Sequence, residues 1–167
     1  MTPRIVHLED LRPRPIKGDE GPVPERYQGS RLADIGEMLG ARTLGYNLTV
    51  VPPGKAAFPA HNHYGNEEMF LILEGAGEVR IGDQVFPVRA GHVIACPTGG
   101  PETAHQLRNT SSDTALAYLA VSTTRFPDLV QYPDSGKIGA VHYDNAGRAI
   151  QLRNREADNL SYWDGEN

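Results

Sequence analysis

The sequence predicts one all-β domain of the jelly-roll kind, and three observations support that expectation. Its apolar runs are short, glycine (18) and proline (13) interrupt them throughout, and long helical periodicities are missing. Frequent breakers between short, half-buried runs are what sandwiches and barrels require. At 167 residues, the chain suits a single compact domain with a sizeable core.

Residues 1–40 form an N-terminal arm. Residues 1–30 carry Pro3, Pro13, Pro15, Pro22 and Pro24 among charges, which reads as extended chain with no core of its own. Arg31–Gly40 fits either a helical turn with Leu32, Ile35 and Leu39 on one face or a strand with a bend. The barrel is expected over residues 41–123. Leu44, Tyr46, Leu48 and Val50 alternate with Thr43, Gly45, Asn47 and Thr49, a half-buried strand that ends at Pro52-Pro53-Gly54. Glu68–Glu74 is apolar on both faces, as in a strand covered on both sides. Turns at Gly75-Ala76-Gly77, Gly82-Asp83, Ala90-Gly91 and Ser111-Ser112-Asp113 divide the rest into short strands, roughly eight in all. Residues 124–167 are a C-terminal arm too long for a mere connection. Its Phe126, Tyr132, Tyr143, Tyr162 and Trp163 favour packing on the barrel or on a second subunit, since disordered tails are poor in aromatic residues.

Composition narrows the function. Net charge is −5 and the Lys and Arg residues are scattered, which argues against nucleic acid or an anionic membrane as partner. No apolar stretch approaches the ~20 residues of a membrane span, the N-terminus has no signal-type apolar region, and Cys96 has no second cysteine to pair with. A soluble, cytoplasmic protein is expected.

The chemistry is expected around His61 and His63. Residues two apart in a strand point to the same side, so these imidazoles project together and form half of a transition-metal site. A carboxylate at Glu68 and a third imidazole at His105 would complete it. Without a metal, four inward ionisable groups would need neutralising partners in a low-dielectric interior, which is costly.

These residues resemble the two motifs of the cupin superfamily. The first motif runs Gly54, His61, His63, Glu68, Gly75, with six residues instead of the usual five between Gly54 and His61. Glu68 keeps the six-residue gap to Gly75, which Glu67 would break. The second motif runs Gly91, Pro97, Gly99, His105, Asn109, with five residues (Gly100–Ala104) where the family has two. The resemblance spans residues 42–122. It implies a double-stranded β-helix in which His61, His63, Glu68 and His105 hold one divalent ion (Fe, Mn, Zn or Ni). A finer resemblance, to small single-domain bacterial cupins, lies in the Tyr132–Lys137 segment, Tyr-Pro-Asp-Ser-Gly-Lys.

Other positions offer further candidates. Glu102, in the longer loop, is a carboxylate near His105 that could act as general acid or base, although exposure to solvent is its plainer role. Tyr64, Cys96, Asp134 and Lys137 are candidate pocket residues, with rim packing, a buried inert thiol and a turn at Asp134-Ser135-Gly136 as the plainer readings. The Gly99–Ala104 loop and part of Tyr132–Lys137 are expected at the cavity mouth. His7, His92 and His142 read as surface residues, and Asn109 as a turn tie. Three functions fit: a metal-assisted isomerase or epimerase acting on a small polar metabolite, an Fe(II)-dependent dioxygenase, and a non-catalytic small-ligand-binding module. Arg80, Arg89 and Arg108 are the barrel cations that could hold a phosphate, but Arg108 faces outward by alternation from His105. Arms with little burial of their own, beside sheet edges that need cover, predict a homodimer.

Overall fold

The computed structural model describes residues 4–17, 21–144 and 148–166. Its strands are β1 (Arg14–Pro15), β2 (Arg31–Asp34), β3 (Leu44–Val51), β4 (Asn62–His63), β5 (Glu68–Glu74), β6 (Ala76–Ile81) and β7 (Gln84–Arg89). They continue with β8 (Val93–Cys96), β9 (His105–Arg108), β10 (Leu116–Thr123), β11 (Asp128–Tyr132), β12 (Lys137–Tyr143) and β13 (Ala149–Arg155). One helix, α1 (Ile35–Leu39), follows β2. No helix among the described residues is long and apolar enough to cross a membrane.

One wall is a six-stranded antiparallel sheet in the order β1-β2-β3-β10-β5-β8. Facing it are a three-stranded sheet, β7-β6-β9, and a four-stranded sheet, β13-β12-β11-β4. A backbone bridge between His61 and His105 joins these two smaller sheets. Val51, Phe70, Ile72, Leu116 and Tyr118 of the large sheet pack against Val79, Val88 and Leu107 of the facing one. The fold is therefore all-β, as the spacing of breakers anticipates, in the double-stranded helical form that the motif resemblance implies. Gly75 shows why the first motif closes on glycine. Its φ is +79°, and a Cβ there would lie 2.3 Å from the Ala115 carbonyl oxygen.

Both arms build strands, and this changes the reading of β3. Its odd-numbered residues face the barrel, with Thr49 and Val51 fully buried. Its even-numbered residues Tyr46, Leu48 and Val50 pack under the N-terminal arm, in a second cluster with Leu11, Ala33, Ile35 and Ala117. Alternation identified the strand, but both of its faces are covered. The arm is not coreless, because Leu11 and Ala33 are buried by this contact. The ambiguous Arg31–Gly40 segment takes both forms in turn. β2 pairs with β3, and α1 then starts at Asp34, whose side chain accepts from the Glu37 N–H, and ends at Gly40 in the left-handed region.

Candidate metal centre

Three elements deliver the four expected ligands. His61 and His63 flank Asn62 on the segment entering β4, Glu68 opens β5, and His105 opens β9. The pleat turns His61 and His63 inward, while Asn62 points the other way and donates to the Gly99 carbonyl at 2.8 Å. All three imidazole Nε2 atoms converge on one carboxylate oxygen. Glu68 Oε2 lies 2.8 Å from His105 Nε2, 3.7 Å from His63 Nε2 and 3.8 Å from His61 Nε2. Ligand atoms of His61, Glu68 and His105 all fall within 4.8 Å of one another; His63 stands outside this group and meets it through Glu68.

The far side of each ring is tied down as well. His61 Nδ1 sits 2.8 Å from the Pro59 carbonyl, His63 Nδ1 2.6 Å from Asp128 Oδ2, and His105 Nδ1 3.3 Å from the Thr103 carbonyl. A ring that donates its Nδ1–H to such an acceptor presents an Nε2 lone pair, so the three tautomers that suit a metal are set by the scaffold. Three imidazole nitrogens and one carboxylate oxygen are the donor set of a first-row divalent ion. Bonds of about 2.1 Å would put neighbouring donors roughly 3.0–3.4 Å apart, and the distances of the three Nε2 atoms to Glu68 Oε2, from 2.8 to 3.8 Å, bracket that range. The residues fit such an ion.

Charge is shared unevenly across the cluster. Burial disfavours charge on His61, Glu68 and His105. For His61, burial and then the neighbouring His105 lower the pKa to about 4, so this ring is neutral at physiological pH. For His105, burial is outweighed by contacts with Cys96 and Glu68, which push it up to about 10. Glu68 is held below its ordinary value, because the His105 hydrogen bond and the nearby histidines outweigh burial. The metal-free cluster thus resembles an imidazolium–carboxylate pair between His105 and Glu68. Any ion entering it must displace the His105 proton. Binding at pH 7–9 should therefore release about one proton, and affinity should rise roughly tenfold per pH unit until pH passes the His105 value. Titration calorimetry in buffers of differing ionisation heat measures that proton directly, and a buffer-independent heat would contradict it.

The four side chains open into a cavity of about 280 Å³. Its other walls include Asn47, Phe58, Phe70, Gln106, Tyr118 and Tyr132. The sequence reading missed most of these. Asp128 could have been found by alternation, since Asp128 and Val130 occupy the buried face of β11 while Leu129 and Gln131 do not. Tyr132 lies near its expected place, with its ring 6.1 Å from His61 and roughly parallel to it.

The other candidates lie elsewhere. Glu102 is exposed, and its Oε1 accepts the Gly100 N–H at 2.9 Å, so it folds its own loop and does not reach the cavity. Tyr64 is exposed and donates to Gln131 at 2.8 Å. Cys96 is buried in the core under His105. Asp134 pairs with Arg80 at 2.8 Å, and Lys137 stacks on the outer ring of Tyr132 at 5.2 Å. The Gly99–Ala104 loop contributes no residue to the cavity wall and instead covers Asn62. His7, His92 and His142 are exposed, and buried Asn109 bonds the Val51 and Thr114 carbonyls, as a turn tie does.

Residues 47–122 match the model of the cupin domain family. An uncharacterised protein of Methanocaldococcus jannaschii is 37% identical over 117 residues, covering 65% of this chain and 79% of the relative. This chain belongs to the cupin superfamily. Two solved cupin-fold structures match almost end to end. A provisionally assigned sugar phosphate isomerase from Acidithiobacillus ferrooxidans has a TM-score of 0.76 at 20% identity, covering 95% of this cupin and 96% of that chain. A sugar phosphate isomerase of the cupin superfamily from Silicibacter pomeroyi has a TM-score of 0.73 at 23% identity, covering 95% and 97%. At these identities the likeness establishes the fold of this cupin, arms included, and leaves its reaction to the site.

Proposed function

We propose that this cupin is a metal-dependent enzyme that moves a proton on a small carbonyl-bearing metabolite, in an isomerase- or epimerase-type reaction. The observation that supports it is the convergence of three pre-oriented Nε2 atoms and Glu68 at the wall of an accessible cavity. Four protein donors leave an octahedral ion with positions to spare, which suits catalysis better than a structural staple. A divalent ion bound there supplies Lewis acidity towards a carbonyl oxygen.

The protein's own groups do the rest. Phe58, Phe70 and Tyr132 wall the cavity with rings and limit water around a bound substrate. Tyr118 is buried and its phenol is pushed up by burial, so it stays protonated and cannot act as a base. Tyr132, more open and with its ring stacked on His61, offers a hydroxyl that can lend its proton to a substrate oxygen and recover it as the substrate reprotonates. Asn47 and Gln106 supply neutral polar contacts for orientation.

The reacting end of the substrate is uncharged in this reading. Among the described residues, no arginine or lysine lines the metal cavity. Arg26, Lys55, Arg80 and Arg108 instead line a separate groove with Glu78 and Asp134, on the outward-facing side of β6 and β9. A phosphate would normally be held by such cations. The isomerase names of the two structural neighbours therefore support the reaction class more than the phosphate.

The test is deuterium wash-in. Metal-restored protein is incubated in D₂O with a panel of hydroxy-ketones, keto acids and their phosphates, and loss of the α-proton is followed by NMR. Exchange with unphosphorylated members supports the reading. Tyr132→Phe should slow that exchange by about 10²–10⁴-fold, the usual share of a general acid–base, while metal content stays unchanged. Stoichiometric oxygen uptake by an Fe(II)-loaded sample would assign the site to dioxygenase chemistry. Saturable binding without turnover under any metal would assign it to ligand sensing.

A further inference from the structure

Because β3 turns its odd-numbered residues into the barrel, Asn47 and Thr49 stand on the inner wall beside the apolar core residues Val51, Phe70 and Ile72. Neither belongs to the metal donor set. Polar groups in such a place need partners, and a few of them, fixed in position, are what orient a ligand in an apolar pocket.

Strand register shows where the two residues stand. Asn47 pairs with Ala120 and Ala120 with Phe70; Thr49 pairs with Tyr118 and Tyr118 with Ile72. The next row on the same face holds Gly45, Ser122 and Glu68. Asn47 therefore lies two strands across and one row along from Glu68, on one inner surface. Neighbouring strands are about 4.8 Å apart, so roughly 10 Å of sheet separates the two backbones. The side chain between them in the Asn47 row, Ala120, is small and lines the cavity together with Asn47 and Glu68.

A chain of hydrogen bonds decides which way the Asn47 amide faces. Thr49 Oγ1 donates to Asn47 Oδ1 at 2.7 Å. That spends the single hydrogen of the Thr49 hydroxyl, so its other bond, to the Tyr118 phenol, is donated by the phenol. Both residues are buried, which keeps water from reversing the order. The amide oxygen is thus taken, while Nδ2 has no partner among the described residues. Nor is Nδ2 sealed in: among the described residues the buried, unpartnered side-chain polar atom is Asn62 Oδ1. The two N–H groups of Asn47 open on the cavity that it lines.

We propose that Asn47 is the second anchor of the metal-site ligand, donating from Nδ2 to an oxygen acceptor at the end of the molecule remote from the ion. Resting on the reading of this cavity as a substrate site, the assignment narrows the substrate to a small carbonyl compound with a second oxygen acceptor. A dipole, not a charge, holds that acceptor. An alkyl group in its place would leave both N–H groups unpaired, and an ammonium would set donor against donor. Thr49 is a positioning residue here, holding the amide without touching the ligand.

Binding to zinc-loaded protein, followed by NMR of the asparagine side-chain amides, tests this without turnover. The probes are 4-oxopentanoate and 5-oxohexanoate, each compared with the alkanoate of equal length, pentanoate or hexanoate. In wild type the better oxo acid should shift the Asn47 amide signal and bind about tenfold tighter than its alkanoate, the share of a hydrogen bond to an otherwise unpaired donor. Asn47→Ala removes the donors, and Asn47→Asp keeps an acceptor for Thr49 but turns another towards the cavity. Both should bring the ratio to unity with zinc content unchanged. Thr49→Val keeps the amide but frees it to turn, and should give an intermediate ratio. A wild-type ratio of unity at both lengths, or an undiminished ratio in either Asn47 variant, would overturn the proposal. An undiminished ratio in folded Thr49→Val would overturn the role of Thr49. Discrimination without deuterium exchange would leave this subsite standing while the isomerase reading falls, and exchange without discrimination would do the reverse.

Discussion

Replacing His105 by alanine should abolish stoichiometric metal binding while leaving the barrel folded. His105 supplies one of four converging donors, and its Nε2 is the one nearest Glu68 Oε2, at 2.8 Å. Loss of an outer-shell partner typically costs 10–100-fold in metal affinity, so loss of a direct donor should cost more than that. The substitution also leaves a buried carboxylate without its hydrogen-bonded imidazole. That penalty is on the order of 1–3 kcal/mol or more, since the group is charged, and it falls on the metal-free protein as well. Elemental analysis of the purified variant reads the first effect and thermal unfolding of the metal-free form reads the second. Wild-type metal content in the variant would remove His105 from the ligand set. The same measurement applies to His61→Ala, where burial and the neutral ring predict full metal loss with a smaller effect on the metal-free fold.

Asp128→Asn should lower metal affinity by about 10–100-fold while all four donors remain in place. Asp128 Oδ2 holds His63 Nδ1 at 2.6 Å, and Oδ1 accepts the Gly65 N–H at 3.1 Å. One carboxylate thus fixes both the ring and the turn leading into β5. The amide keeps the shape but removes the charge that makes the imidazole a stronger donor. It must also offer an oxygen to His63 and to the Gly65 N–H at once, which it cannot do with both of its atoms. Asp128→Ala should add a stability loss of about 1–3 kcal/mol from the unsatisfied donors. Competition with a chelator of known affinity measures the change, and equal affinities in wild type and Asp128→Asn would show that His63 orients without help.

What was legible in the sequence follows from distance along the chain. His61, His63 and Glu68 lie within eight residues, and strand periodicity alone places the two histidines on one face. His105 was reached through the second motif, whose glycines and proline set its place. Asp128 and Tyr132 lie beyond both motifs, on a strand that pairs with β4 only after the chain has returned across the barrel. No local pattern announces a pairing between residues 63 and 130. The phase of β3 failed for a related reason. Alternation fixes which residues share a face, but what covers each face depends on a distant arm, here Leu11 and Ile35. Glu102 illustrates the opposite error, where nearness to His105 in sequence was overridden by a loop that turns its carboxylate onto its own backbone.

The bridge between His61 and His105 has a consequence for how this barrel holds its shape. The His105 N–H donates to the His61 carbonyl at 2.8 Å, and the His61 N–H returns the bond at 3.3 Å. These two residues are the meeting point of the smaller sheets, and their side chains end at the same point inside. An ion held by both imidazoles would then be a rivet through a seam, fastening from within what two backbone hydrogen bonds fasten from behind. Because only the closed seam presents both rings together, occupancy and closure must reinforce one another. An ion bound there would be a component of the architecture as well as of the site.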